Sequence, residues 1–352
     1  MAELAKAGPQ RLIRNVASTP MVLRYGGWSL PVTVESGGYG QSYVVSPHSH
    51  YVLYARDEID IIGIGAGRTA AKGVLATLST LLHGVRINHA VHLDNWLLST
   101  NLHGDWSGQG LPQMRAHLAA EFPDRLLIIR SLDQWSCPQL LETVRDDGWM
   151  LLPARQIWVT DDLRCEWKKR NNTANDRRAL NKSGLLVEEP EAFTPQECER
   201  IADLYRQLYV GRYSAINPVF TPAFIDASAR TGLLHYRIAR EPGGRIMAVC
   251  GMRAAGGIVA VPLLGYDMAR PQSEALYRIA SYMASEWAMV RGLRFNGSAG
   301  AGKFKQMRGA RSEIEYMAVY ARHLPPIRRA GLAFLARALN TLMVPLLRDR
   351  GW

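Results

Sequence analysis

The chain has 352 residues, 47% of them apolar and 21% charged, and carries a net charge of +11. These proportions describe a globular protein with a real core and room for two domains, and exclude a low-complexity or disordered chain. The excess of cations favours an anionic partner (nucleic acid, a phosphorylated cofactor, an acidic carrier protein or a membrane surface) without choosing among them.

The first twenty residues mix Glu3, Lys6, Arg11 and Arg14 with short apolar stretches and do not read as a signal peptide. No uninterrupted apolar run approaches membrane-spanning length, so the expected compartment is the cytoplasm. Residues 42–62 hold "YVV" and "YVLYA" around "SPHSH" and predict two strands with a turn between them. A helix over 70–82 follows, then a strand over 86–93 in which Ile87, His89, Val91 and Leu93 share one face. "LPQMRAHLAAEF" predicts a helix, "RLLIIRSL" a strand, "CPQLLETVRDDG" a helix stopped by Gly148, and residues 149–159 another strand.

The second half opens with a basic helix over 163–184, which Gly184 stops. Strand "LLVEE", helix "QECERIADLYRQLYVGRY" and short helix "TPAFIDASARTG" come next. Three strands, joined by "EPGG" and "GG", then form a meander that ends in "PLLGYD". A long helix ending at Gly292, strand "LRFNG", a Gly-rich stretch, strand "SEIEYMAVYARHL" and an amphipathic tail complete the chain. Strands and helices mix without regular β-α-β alternation, which predicts an α+β fold. "TDD" before the basic helix marks a boundary, giving segments 1–158, 159–326 and 327–352.

Several stretches invite a site. Gly297 through Lys303 fits G-x-x-x-x-G-K, but Phe304 stands where the magnesium-binding Ser or Thr belongs, and too little chain follows for a nucleotide-binding domain. "GIGAGR" (63–68) lacks dinucleotide spacing and reads as a tight turn. The histidines of "HSH" (48–50), with His83, His89 and His92, read as core or surface residues. Cys137, Cys165, Cys198 and Cys250 include no C-x-x-C pair, so neither a zinc site nor a disulfide framework is expected, and no metal is assigned.

Arg164, Lys168, Asn171, Asn175, Arg178 and Lys182 recur every three or four residues, so one helical stripe would present cations and amides. Such a row suits phosphates or a polyanion, and equally a solvated charged face. Lys168 and Arg178 are its candidate donor-binding residues. In the tail, Leu332, Leu335, Leu339, Leu342 and Leu346 form one stripe, with Arg328, Arg329, Arg337 and Arg348 elsewhere. That helix packs on its own domain, or offers residues 327–348 to a membrane surface or a partner.

The order of basic helix "KKRNNTANDRRALNKSG", "YSAINPVFTPAFI", meander "PLLGYD", long helix and "FNGSAGAGKFKQMRGA…EYMAVYARHLPP" resembles the GNAT superfamily of acyltransferases. More narrowly it resembles the FemAB-like branch, built of two GNAT-type lobes. The likeness covers about residues 160–326, while the first lobe matches in its rhythm of elements. It implies tandem lobes, each a mixed, mostly antiparallel sheet flanked by helices, and a splayed pair of strands, here "VAVPLLGYD" and the strand through Phe295 and Asn296. An acyl carbonyl would enter the gap, with Pro262 weakening the pairing.

The resemblance also implies roles. Gly297, Gly300 and Gly302 would let backbone approach the donor, while Lys305, with Lys303 and Arg308, would meet its carbonyl oxygen or phosphate. Tyr266 or Asp267 would contact the amine or relay a proton, and Asn296 stands where the family has an acidic residue. Between "GYD" and the long helix the family's pyrophosphate loop should be Gly-rich, but "MARPQSEALYR" has no glycine.

The expected activity is N-acyl transfer from a thioester, acyl-CoA or an acidic acyl carrier protein, to a small-molecule amine, with acyl-CoA as co-substrate and no permanently bound cofactor. Amide formation from an aminoacyl-tRNA is the alternative enzyme, and a catalytically silent binding protein the alternative of another class.

Overall fold

The computed structural model describes residues 8–62 and 67–349. In chain order the elements are β1 (Ser18–Tyr25), β2 (Trp28–Glu35), α1 (Tyr54–Ile62), α2 (Arg68–Gly84), β3 (Ala90–Leu93), α3 (Leu111–Glu121), β4 (Leu126–Leu132), α4 (Pro138–Asp146) and β5 (Met150–Thr160). Then come α5 (Asn171–Lys182), β6 (Leu186–Glu188), α6 (Pro195–Tyr205), α7 (Pro222–Arg230), β7 (His235–Arg240), β8 (Ile246–Ala255) and β9 (Ile258–Tyr266). The last are α8 (Leu276–Val290), β10 (Arg294–Asn296), β11 (Arg311–Tyr320) and α9 (Pro326–Asp349).

Two compact units result, and they do not follow a single cut near residue 158. Among the described residues, those within 8–155, 213–219 and 314–349 form one, and 156–212 and 220–313 the other, so β5 and β11 each contain a crossing point.

In the first unit β1, β2 and β3 are antiparallel neighbours, β3 runs parallel to β4 (Ala90 opposite Leu126), and β4 is antiparallel to β11. Every residue of β4 is buried, because both faces are covered. Leu127 and Ile129 join a core with α3 and α4 residues such as Leu118 and Leu140. Leu126 and Ile128 join another with Leu82 of α2 and Leu332 of α9. A strand buried on both faces reads as a continuous apolar run, which "LLII" is.

The second unit repeats that pairing scheme. β6, β7, β8 and β9 are antiparallel in succession, β9 runs parallel to β10, and β10 is antiparallel to β5. Ile279, Met283 and Trp287 of α8 pack on Ala248, Cys250 and Val259 of the sheet. In both units a helix connects the parallel pair: α3 between β3 and β4, α8 between β9 and β10. The fold is therefore α+β, with two lobes that share one strand-pairing scheme and a terminal apolar helix.

Several elements depart from expectation. Residues 42–62 form no strand: Ser49–Leu53 is a π-helical turn running into α1. Short apolar runs do not separate a buried helix from a strand, and Tyr51 and Val52 are buried here as a helical pair. The strand expected over 86–93 begins only at Ala90, after a turn in which Arg86 has φ 53°.

The basic segment is two pieces, not one helix. Asp162 accepts from the N–H groups of Arg164 and Cys165 and caps a π-turn over Leu163–Trp167, and Arg170 is extended before α5 begins. Arg164 and Lys168 therefore share no continuous stripe with Arg178. The hairpin of β1 and β2 had no predicted counterpart; Gly26 and Gly27 make its turn with φ 53° and 83°, the left-handed values that a two-residue hairpin loop needs. In α9 the packed row is Leu332, Leu335, Leu339 and Met343, whereas Leu342 and Leu346 are exposed rather than part of it. "GIGAGR" falls largely on 63–66, outside the described residues.

Candidate active site

The parallel pairing of β9 and β10 is three residues long: Ile258, Val259 and Ala260 lie opposite Arg294, Phe295 and Asn296. β10 then ends, while β9 continues to Tyr266 with its other edge held by β8. Pro262, just past the last paired residue, has no N–H to extend a ladder. A gap thus opens between the two strands, and the Gly-rich loop starts at its mouth.

Asn296 is fully buried. Its Oδ1 accepts from the Ser298 N–H at 2.8 Å, and its Nδ2 has no partner among the described residues. A buried amide donor left unmade costs about 1–3 kcal/mol. The indole Nε1 of Trp158, on neighbouring β5, is likewise buried without a partner among the described residues. Main-chain bonds from Gly297 N to Trp158 O (2.7 Å) and from Trp158 N to Ser298 O (3.1 Å) fix the start of the loop. A Cβ on Gly297 would lie 3.2 Å from that Trp158 oxygen.

Lys305 organises the rest. Its ammonium donates to the carbonyls of Ser298 (3.2 Å), Ala299 (2.8 Å) and Gly300 (2.7 Å). Ser298, Gly300 and Ala301 have φ of 60°, 72° and 47°, and Ala301 caps the five-residue helix Gly302–Gln306. With the carbonyls drawn to Lys305, the N–H groups of Ala299, Gly300 and Ala301 have no hydrogen-bond partner among the described residues. Successive N–H groups beside left-handed residues are a backbone arrangement that suits an anion. Lys305 thus builds the loop instead of projecting into it.

Arg308 is also committed to structure. It is buried, its Nε and Nη2 reach Asp176 at 2.6 and 2.9 Å, and its guanidinium lies 3.4 Å from the Phe304 ring centre. Lys303 stays exposed, the one cation of the three-residue prediction left for a donor. Phe304 touches Tyr277 at the start of α8 (5.0 Å between centroids), and Tyr277 touches Tyr266 (6.0 Å). This aromatic row runs from the end of β9 to the helix behind the loop.

Asp267 is not placed as a proton relay. It is buried and accepts from Arg200 and Arg245, each at 2.7 Å, and from the Ala269 N–H. Burial pushes its carboxyl up, but the hydrogen bonds from Arg200 and Ala269 and the two guanidinium charges outweigh it and hold the pKa below the usual range. Lys168 and Arg178 are exposed; Arg178 bonds Asn175 at 2.7 Å, and neither hydrogen-bonds the loop.

The segment 269–275 grips no anion through glycines: Ala275 occupies the left-handed cap of α8 at φ 57°, and Arg270 pairs with Glu274 at 2.9 Å. Sequence reasoning missed what Asp176 and Trp158 do. The signal for Asp176 was present, as the sole acid within "NNTANDRRALNK".

No family model and no curated protein matches this chain. Among solved structures it is similar to L-PGS from Bacillus licheniformis (15% identity, 65% of this chain and 79% of that one, TM-score 0.47). It is also similar to the C-terminal domain of a putative lysylphosphatidylglycerol synthetase from Agrobacterium fabrum (15%, 66% and 78%, TM-score 0.47). A third is FemX (10%, 59% and 75%, TM-score 0.44). At such identities and scores the chemistry has to be read from this chain's own geometry.

Proposed function

We propose that this chain transfers an acyl group to an amine, with the reacting carbonyl seated where β9 and β10 part. The observation that carries the reading is the buried, unpartnered Nδ2 of Asn296 at the end of a parallel pair that stops after three residues. The amine nitrogen attacks the carbonyl carbon, and negative charge gathers on its oxygen. Asn296 Nδ2 donates to that oxygen, with the loop amides as neighbouring donors, which is oxyanion stabilisation without a metal-like charge. The intermediate collapses by breaking the C–S bond to the donor, and the departing thiolate takes up the proton that the attacking amine gives up. Tyr266 is the side chain assigned to the incoming amine, since Asp267 is held by two arginines.

The donor favoured is a thioester, acyl-CoA or an acyl carrier protein, whose phosphate groups suit the exposed Lys303. A second enzyme reading is transfer from an aminoacyl-tRNA, favoured by the glycine-free segment 269–275 and by the exposed cations Arg164, Lys168, Arg178 and Lys182. Calorimetric titration with acetyl-CoA and palmitoyl-CoA separates the two. Micromolar binding of either supports the thioester. Binding of neither, together with transfer that is RNase-sensitive and falls steeply with salt, supports the tRNA donor. Absence of transfer from every donor defeats both and leaves a binding protein.

A further inference from the structure

We propose that α9 and its neighbour α2 form a docking face for an anionic phospholipid bilayer, on which α9 lies in the plane of the membrane. Over Pro326–Arg348 the apolar window of α9 reaches a mean hydropathy of 1.6, yet only 11% of that window is buried. Residues 330–347 carry a single charge, that of Arg337.

A helix packed on a domain needs one apolar stripe. This one has two. Leu332 and Leu335 are 0% and 2% exposed, whereas Ile327 is 83%, Phe334 60%, Leu342 67% and Leu346 52% exposed. α2, which packs against α9, adds Val74 at 68% and Leu81 at 39%, and has no charged residue from Gly73 to Leu82. With Ile61 on α1, these three helices hold seven of the fourteen exposed large hydrophobic side chains among the described residues. A concentration of that kind marks an interaction surface.

Charge selects the occupant. α9 has no acidic residue before Asp349, and Arg329, Arg337 and Arg348 are exposed along it. At its start an open groove of about 440 Å³ is lined by Met150, Ala321, Arg322, Arg329 and Ala330. Neither Arg322 nor Arg329 has a carboxylate partner among the described residues. Two uncompensated guanidiniums beside small apolar side chains match a phosphate headgroup with its acyl chains.

The helix is also held to its unit, which argues against crossing the bilayer. Arg328 donates to the carbonyls of Val85 (3.2 Å) and Asp124 (2.7 Å), and a Cβ on Gly331 would lie 2.8 Å from the Val85 side chain.

The test is flotation of the full chain with phosphatidylcholine vesicles, with and without phosphatidylglycerol. Expected is flotation with phosphatidylglycerol only, released by salt. Phe334→Asp with Leu342→Asp should abolish it, and Arg322→Gln with Arg329→Gln should weaken it roughly 30-fold, at one tenfold step or less per surface arginine. All four positions are exposed, so circular dichroism should match that of the parent chain. Four outcomes overturn the proposal. These are no flotation with phosphatidylglycerol, equal flotation with neutral vesicles, and binding that resists salt and requires detergent, which would mean a spanning helix. The fourth is self-association in sedimentation velocity that Phe334→Asp abolishes without any vesicle binding, which would make the face a contact between copies.

Discussion

Arg308 grips Asp176 with two nitrogens, at 2.6 and 2.9 Å, across 132 residues of chain. Both are buried, and Arg278 adds a third bond to the same carboxylate at 2.7 Å. The pair anchors α5 to the segment behind the Gly-rich loop. Removing the acid strands Arg308 in the core, so Asp176→Ala should lower stability by about 3–5 kcal/mol in urea unfolding. Arg308→Met should cost less, because Asp176 keeps Arg278. If Asp176→Ala lost no more than an exposed aspartate does, the pair would not be the anchor described.

Lys305 spends its three N–H groups on three successive loop carbonyls. Lys305→Met keeps the stem and releases the loop. Transfer should fall about 100-fold, the scale of a 1 Å misplacement of reacting groups, while the melting temperature barely moves. Because the lysine shapes the loop rather than touching the donor directly, the loss should fall on kcat at saturating donor. A rise in KM with kcat unchanged would instead make Lys305 a donor-binding group.

Much of this was legible in the residues. The meander shows in its "EPGG" and "GG" turns, and the long helix in its apolar period. What stayed hidden has specific causes. "YVLYA" carries burial but no period, so it gave no sign of a helix. Asp162 and Arg170 break the basic segment through a cap and an extended backbone angle, which a spacing rule does not register. The destination of Lys305 depends on left-handed angles at Ser298 and Ala301, non-glycine residues that no turn rule singles out. That Asn296 Nδ2 lacks a partner is a property of packing around it, invisible in a single chain of letters.

Gly265 sits one residue before Tyr266 without a left-handed angle, so its need for glycine is one of space. A Cβ there would lie 2.7 Å from the Leu204 carbonyl carbon and the Tyr205 nitrogen, and 2.9 Å from the Leu204 oxygen. These are backbone atoms of α6 and cannot swing aside. Gly265→Ala should cost about 1–3 kcal/mol by overpacking. Gly243→Ala, where a Cβ meets nothing within 4 Å, is the matched control in thermal unfolding. Equal effects of the two would show that α6 yields easily and does not fix the end of β9.

His50 gives the first unit an acid weakness. Burial, followed by the charges of Arg155 and Arg130, outweighs the hydrogen bond to the Ala154 carbonyl and pushes its pKa down to about 3. Burial and His83 push His48 to about 4. In the unfolded chain both return to about 6.5, so below that pH the unfolded state binds protons that the folded state refuses. Stability is therefore full above pH 6.5 and is lost as pH falls towards 3–4. His103 acts at the other end: burial pushes it down, but the hydrogen bond and charge of Asp94 outweigh that and raise it, so its contribution fades only as pH rises. Between pH 7 and pH 5, His50 alone should account for about 2 kcal/mol. Urea midpoints should drop over that interval in the parent chain, and less steeply in His50→Gln. An identical drop in both would mean that the ring is protonated in the folded state, and that its burial does not keep it neutral.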